Sequence, residues 1–175
     1  MKIVSPTSAA IVPRVVAGGD DVVMNLLAFV RTHLAMDIAY VSEFGGEEIV
    51  FRAVIAPGFA ESIAAGGTRP LKAGYCYHIV AGRLPELIPD TANEPLVQAI
   101  LVTHNMPIGS YVSVPMRRTD GTIYGMFYSF GKAARPSLNS RDLEVVRAFA
   151  SLAAGVIGFW LKLPNTPLSK TWTCC

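Results

Sequence analysis

The chain of 175 residues and 18.8 kDa is long enough to bury the core of one domain and too short for two full ones. A hydrophobic fraction of 51% against 16% charged residues is high for a soluble domain, so a second subunit or a ligand is expected to cover part of the surface. A net charge of +2 without a basic run gives no electrostatic footprint for nucleic acid, and Cys76, Cys174 and Cys175 form neither a disulfide framework nor a four-ligand zinc site, which points to a reducing, cytoplasmic setting.

Residues 1–19 read as a leader, because Ser5, Pro6, Pro13 and Arg14 interrupt the apolar run that a secretory signal needs. Gly18, Gly19, Asp20 and Asp21 then open a helix, with a carboxylate available to the free amides of the first turn. Val23, Leu26, Leu27, Val30 and Leu34 recur at helical spacing along it, and it ends near Ala35. Two β-branched and aromatic runs, 37–44 and 47–54, predict an antiparallel hairpin turned at Gly45-Gly46. Residues 57–66 read as a short helix or loop, and 69–74 as a brief extended segment.

A short helix is expected over 75–81, followed by an extended stretch at 86–89. Asp90 is placed to cap one further helix over 91–105, which carries Leu96, Val97, Ile100 and Leu101 before Pro107 and Gly109 end it. Residues 111–117 and 122–130 alternate around Thr119-Asp120-Gly121 and predict a second hairpin. Asn139 or Ser140 caps a long helix running to about Leu163, with Asp142 and Glu144 in its first turn and one face marked by Leu143, Val146, Ala150, Ala153, Ile157 and Trp160. Its least charged run, 148–161, is about fourteen residues and falls short of the roughly twenty needed to span a bilayer. Beyond it, residues 164–175 lose the pattern and read as a linker or tail. The order of elements predicts an α+β domain: an antiparallel sheet, terminal helices packed on one face, and a pocket formed by loops and short helices on the other.

Three stretches in that order carry a resemblance: Gly74-Tyr75-Cys76-Tyr77-His78; residues 82–90, ending in Ile88-Pro89-Asp90; and Ser110-Tyr111-Val112-Ser113-Val114-Pro115 leading through Asp120-Gly121 to Tyr124-Gly125-Met126-Phe127. Over 20–163 the chain resembles the GAF domains, small-molecule-sensing and dimerising modules linked in bacteria to histidine kinase, diguanylate cyclase or cyclic-di-GMP phosphodiesterase domains. No such output module is legible in this sequence. The resemblance implies a regulatory rather than an enzymatic domain. It names no cofactor: the spaced Asn, Lys, Phe, Asp and Glu signature of the cyclic-nucleotide-binding branch has no counterpart here. The segment 94–105, where phytochrome-like members hold a bilin through cysteine, contains His104 but no Cys. Cys76 falls near the extra cysteine of some cyanobacterial photosensors. It is also reminiscent of one cysteine segment of the branch that reduces free methionine sulfoxide, whose other interior cysteines are absent.

The candidate ligand-binding residues are Tyr75, Cys76, His78, Arg83, Asp90, Tyr111, Ser113 and Tyr128, with no catalytic or metal set among them. Cys76 and His78 either line a pocket or serve as a small buried hydrophobe and a partly exposed helix residue. Two apart on a helix, they diverge by roughly 200 degrees, which disfavours a Cys-His catalytic pair. Arg83 either pairs with Asp90 or grips an anion. Tyr40, Phe51, Tyr111 and Tyr128 offer strand-borne aromatic surface to a pocket or simply fill a core. The expected partners are a small-molecule ligand, a signalling partner or output domain, and a second copy docked through helices 20–34 and 143–161. A pure dimerisation module and a thiol enzyme using Cys76 are the alternatives.

Overall fold

The computed structural model describes residues 19–162; the predicted tail, Cys174 and Cys175 included, and the predicted leader up to residue 18 lie outside them, while Gly19 opens the first helix. Helix α1 (Gly19–His33) leads into a hairpin of β1 (Ile38–Gly45) and β2 (Glu48–Ile55). The tight turn falls at Gly46 and Glu47, one residue later than predicted; Gly45 still pairs with Glu48, and only Gly46 takes a positive φ, 72°. After a loop, β3 (Thr68–Pro70) and a 3-10 turn (Leu71–Ala73) precede α2 (Tyr75–Val80) and the two-residue β4 (Leu87–Ile88).

The single helix predicted over 91–105 is three pieces: a 3-10 turn (Thr91–Asn93), α3 (Pro95–Gln98) and α4 (Leu101–Asn105). Pro95 lacks an amide proton and pushes the residue before it out of the helical region, and Glu94 sits at φ −110°, ψ 101°. Ile100 is extended as well, at ψ 131°. Asp90 caps the first piece as predicted, its carboxylate accepting from the Ala92 amide at 3.0 Å.

A second hairpin, β5 (Ser110–Arg117) and β6 (Ile123–Gly131), and the long α5 (Ser140–Lys162) complete the fold. Asn139 caps α5 by accepting from the Arg141 amide at 2.9 Å. The six strands form one antiparallel sheet in the order β3-β2-β1-β6-β5-β4, so the two hairpins join side by side through β1 and β6. Gly125 permits that junction: a Cβ there would run into the Ser42 carbonyl oxygen and approach the Glu43 Cα to 2.8 Å.

Alternation along the strands divides the core into two layers. One face carries Ala39, Val41, Val112, Val114 and Phe127 against Val23, Leu27 and Val30 of α1 and Val146, Ala150 and Ala153 of α5. The other carries Tyr40, Phe51, Tyr111, Tyr128 and Phe130 beneath the segments between β2 and β5. Both terminal helices thus lie on one side of an α+β sheet. Among the described residues, no helix is long and apolar enough to cross a membrane.

Candidate functional site

A cavity of about 280 Å³ opens on the sheet face turned away from α1 and α5. Its floor is the sheet: Tyr40 from β1, Ile49 and Phe51 from β2, Tyr111 from β5, and Tyr128 and Phe130 from β6. Ile63, Arg69, Tyr75, Cys76, Asn105 and Met106 are among the residues that wall it from the other elements.

The floor is built of aromatic rings in contact. Tyr40 and Tyr128 stack with centroids 4.2 Å apart, Phe51 meets Tyr40 edge-on at 5.3 Å, and Tyr75 meets Tyr111 edge-on at 4.7 Å. Hydrogen bonds hold two of these rings. Ser42 Oγ donates to the Tyr128 hydroxyl at 2.9 Å, and the Tyr75 and Thr103 hydroxyls share a bond of 2.7 Å that ties α2 to α4. Thr103 Oγ1 in turn reaches the Val97 carbonyl at 2.6 Å.

The electrostatics keep these groups neutral. Burial pushes the Tyr40, Tyr111 and Tyr128 phenols well above the usual tyrosine range, and Cys76 raises each further; Tyr40 adds to the rise at Tyr111 and Tyr128, while Arg69 and a hydrogen bond with Tyr111 pull Tyr40 back only in part. Burial pushes the Cys76 thiol up as well, against a weaker pull from Tyr128. At neutral pH the cavity therefore presents protonated phenols and a protonated thiol, which are hydrogen-bond donors and poor nucleophiles.

One charged side chain stands among the residues lining the cavity. Arg69 Nη2 donates to the Ser62 carbonyl at 2.8 Å, Nη1 lies 3.4 Å from the Met106 sulfur, and the guanidinium sits 5.8 Å from the centre of the Phe51 ring. Among the described residues, no aspartate or glutamate lines the cavity.

Of the residues singled out from the sequence, the structure brings Tyr75, Cys76, Tyr111 and Tyr128 to the cavity wall and leaves the other four off it. His78 lies further along α2, edge-on to Tyr77 at 5.4 Å; burial lowers its pKa and the Arg83 charge lowers it further. Arg83 does not pair with Asp90: its guanidinium lies 4.8 Å over the Tyr77 ring, and the Asp90 carboxylate accepts from Ala92 and from Asn93 Nδ2 at 2.7 Å. Ser113 is fully buried and paired with Tyr128 across β5 and β6. His104 turns to the Gln98 carbonyl, 2.9 Å from its Nε2. Sequence reasoning missed Arg69, Asn105 and Met106. The one available signal was a lone arginine inside the otherwise uncharged stretch 62–71. Among the described residues no group of three or more His, Cys, Asp or Glu side chains could hold a metal.

The family model for the GAF domain matches residues 19–157. With this sheet order, helix placement and cavity, the chain belongs to the GAF domain family. Solved structures of the same fold include the GAF domain from Acinetobacter phosphoenolpyruvate-protein phosphotransferase, at 12% identity and a TM-score of 0.67 over 84% of this chain and 86% of that one. The blue-light absorbing form of the Thermosynechococcus elongatus PixJ GAF domain matches at 17% identity and a TM-score of 0.65 over 90% of this chain and 95% of that one. Type II free methionine-R-sulfoxide reductase from Thermoplasma acidophilum matches at 14% identity and a TM-score of 0.61 over 79% and 92%. At these identities the likeness is one of fold. A sequence search among curated proteins found no match.

Proposed function

We propose that this is a small-molecule-sensing regulatory domain of a bacterial signalling protein, acting in the cytoplasm as a homodimer and without turnover. The observation that carries the reading is the separation of the cavity from the terminal helices by a single sheet. Tyr40, Tyr111 and Tyr128 line the cavity, while their chain neighbours Val41, Val112 and Phe127 pack against the helix layer. A ligand that shifts those rings therefore acts on the packing of α1 and α5, and a population shift between two helix arrangements is the mechanism it would drive. The reading as a dimer is supported by Phe29, which is 50% exposed and stacks on Phe149 at 4.7 Å across α1 and α5.

The test is a metabolite screen by thermal shift on the full chain, followed by spin-label distances across the dimer from cysteines placed on α5. A stabilising compound that changes those distances is the expected result. A dimer whose distances stay fixed with the cavity occupied would leave only the second reading, a dimerisation module, which the exposed Phe29 supports. A thiol enzyme of the methionine sulfoxide reductase type is disfavoured by the Cys76 thiol, whose pKa is raised rather than lowered. Free methionine sulfoxide reduction by the wild-type chain that vanishes in Cys76→Ser would restore it.

A further inference from the structure

We infer that the cavity selects small monocarboxylates carried on a flat apolar body, with Arg69 as the side chain that receives the carboxylate; this rests on the reading of the cavity as the ligand site. The first ground is the charge inventory. Among the described residues, Arg69 is the one charged side chain lining the cavity, and it is half-buried. Both of its hydrogen-bond partners, the Ser62 carbonyl and the Met106 sulfur, are neutral, and among the described residues no carboxylate lies within ion-pair distance of it. A guanidinium held against apolar walls without a counter-ion favours an anion, and its planar fork matches a carboxylate with two parallel bonds.

The second ground is the rest of the wall. The phenols and the thiol stay protonated, so no second charge of either sign is available there. One cation balances one negative charge, which fits a monocarboxylate better than a phosphate dianion or a dicarboxylate. The Arg69 charge also reaches the Tyr40 hydroxyl, which puts that charge within the cavity's own field.

Size and surface set the body of the ligand. At about 280 Å³ the cavity sits just below the usual drug-sized range of about 300–1,000 Å³, so a compound of one or two rings suits it. The stacked and edge-on rings of Tyr40, Tyr128, Phe51 and Tyr111 offer a floor on which such a ring packs face or edge.

The experiment is calorimetric titration of the full chain at neutral pH with three matched pairs: benzoate and benzamide, phenylacetate and phenylacetamide, indole-3-acetate and indole-3-acetamide. At least one acid is expected to bind about ten- to a hundredfold more tightly than its amide, the range of a charge-assisted hydrogen bond. Arg69→Gln is expected to bring that acid down to the level of the amide and leave the amide unchanged, while Arg69→Lys keeps part of the preference. Equal binding of acid and amide overturns the inference and leaves the cavity reading standing, as does an acid affinity unchanged in Arg69→Gln. Binding of neither class overturns the inference; the cavity reading falls with it only if the wider metabolite screen also finds no ligand. Should Arg69→Gln fail to fold, the acid and amide pairs on the native chain decide the matter alone.

Discussion

Tyr40 and Tyr128 face each other in register across β1 and β6, their rings stacked at 4.2 Å and 16° from parallel, and the Tyr128 hydroxyl accepts from Ser42 one pleat further along β1. The contact sits where the two hairpins meet. It fastens the halves of the sheet together and forms the centre of the cavity floor, so stability and ligand capacity are tied at one place.

That arrangement predicts different costs for two substitutions at Tyr128. Tyr128→Phe keeps the stack and leaves the Ser42 hydroxyl without its acceptor, so a loss of about 1–2 kcal/mol in urea unfolding is expected. Tyr128→Ala also empties a fully buried ring site and should cost about 3–5 kcal/mol. A Phe variant as damaged as the Ala variant would contradict the assignment of most of the Ala cost to the buried ring.

Gly125→Ala should be more damaging than its size suggests. The new methyl meets backbone, the Ser42 carbonyl and the Glu43 Cα, which cannot swing away as a flexible side chain would. The expected outcome is loss of soluble folded protein, read by circular dichroism and gel filtration, whereas Gly155→Ala, with nothing within 4 Å of its added Cβ, should fold normally.

Glu43 gives the fold a pH dependence of defined sign. It is only 3% exposed, with Arg52 Nε at 2.7 Å, and burial raises its pKa more than Arg52 lowers it. The folded state therefore binds this proton more tightly than the unfolded chain does. Its effect on stability is nil below the ordinary carboxylate range, where both states are protonated. It becomes unfavourable as pH rises from there through the raised folded value. Urea midpoints measured across that window should fall with rising pH through this group, and Glu43→Gln should remove that component; an unchanged slope in the variant would refute the assignment.

Cys76 should be slow to react. It is 2% exposed and its thiol is held protonated by burial. In a chain carrying Cys174→Ser and Cys175→Ser, a thiol-specific chromogenic reagent should label it at the rate of opening and completely once urea unfolds the protein. A cavity ligand should slow the labelling further. Rapid labelling of the native chain would show an accessible thiolate and reopen the redox reading.

Local sequence carried the hairpins and the terminal helices well, because turn chemistry and apolar spacing act over a few residues. Gly121 at φ 85° and the Asp120 side chain accepting from the Thr122 amide make the second turn, as the Asp-Gly pair predicted. Val23, Leu27 and Val30, and Val146, Ala150 and Ala153, are buried as their spacing required. The segment 91–105 was misread for an equally local reason: the apolar spacing of Leu96, Val97, Ile100 and Leu101 outweighed the proline at 95, and the proline divides the helix.

What the sequence determined by itself was the order of the terminal helices and the two hairpins and the residues each of them offers to a core. Which of those residues meet was decided by the sheet order, which sets β2 beside β1, β1 beside β6 and β6 beside β5. Phe51, Arg69, Cys76, Met106 and Tyr128 lie far apart along the chain and share one cavity because strand pairing and the crossing loops bring them there. A charge such as that of Arg69 acquires its meaning only in that setting, since the absence of a counter-ion among the described residues is a property of the surrounding wall and not of the residue or its neighbours in sequence.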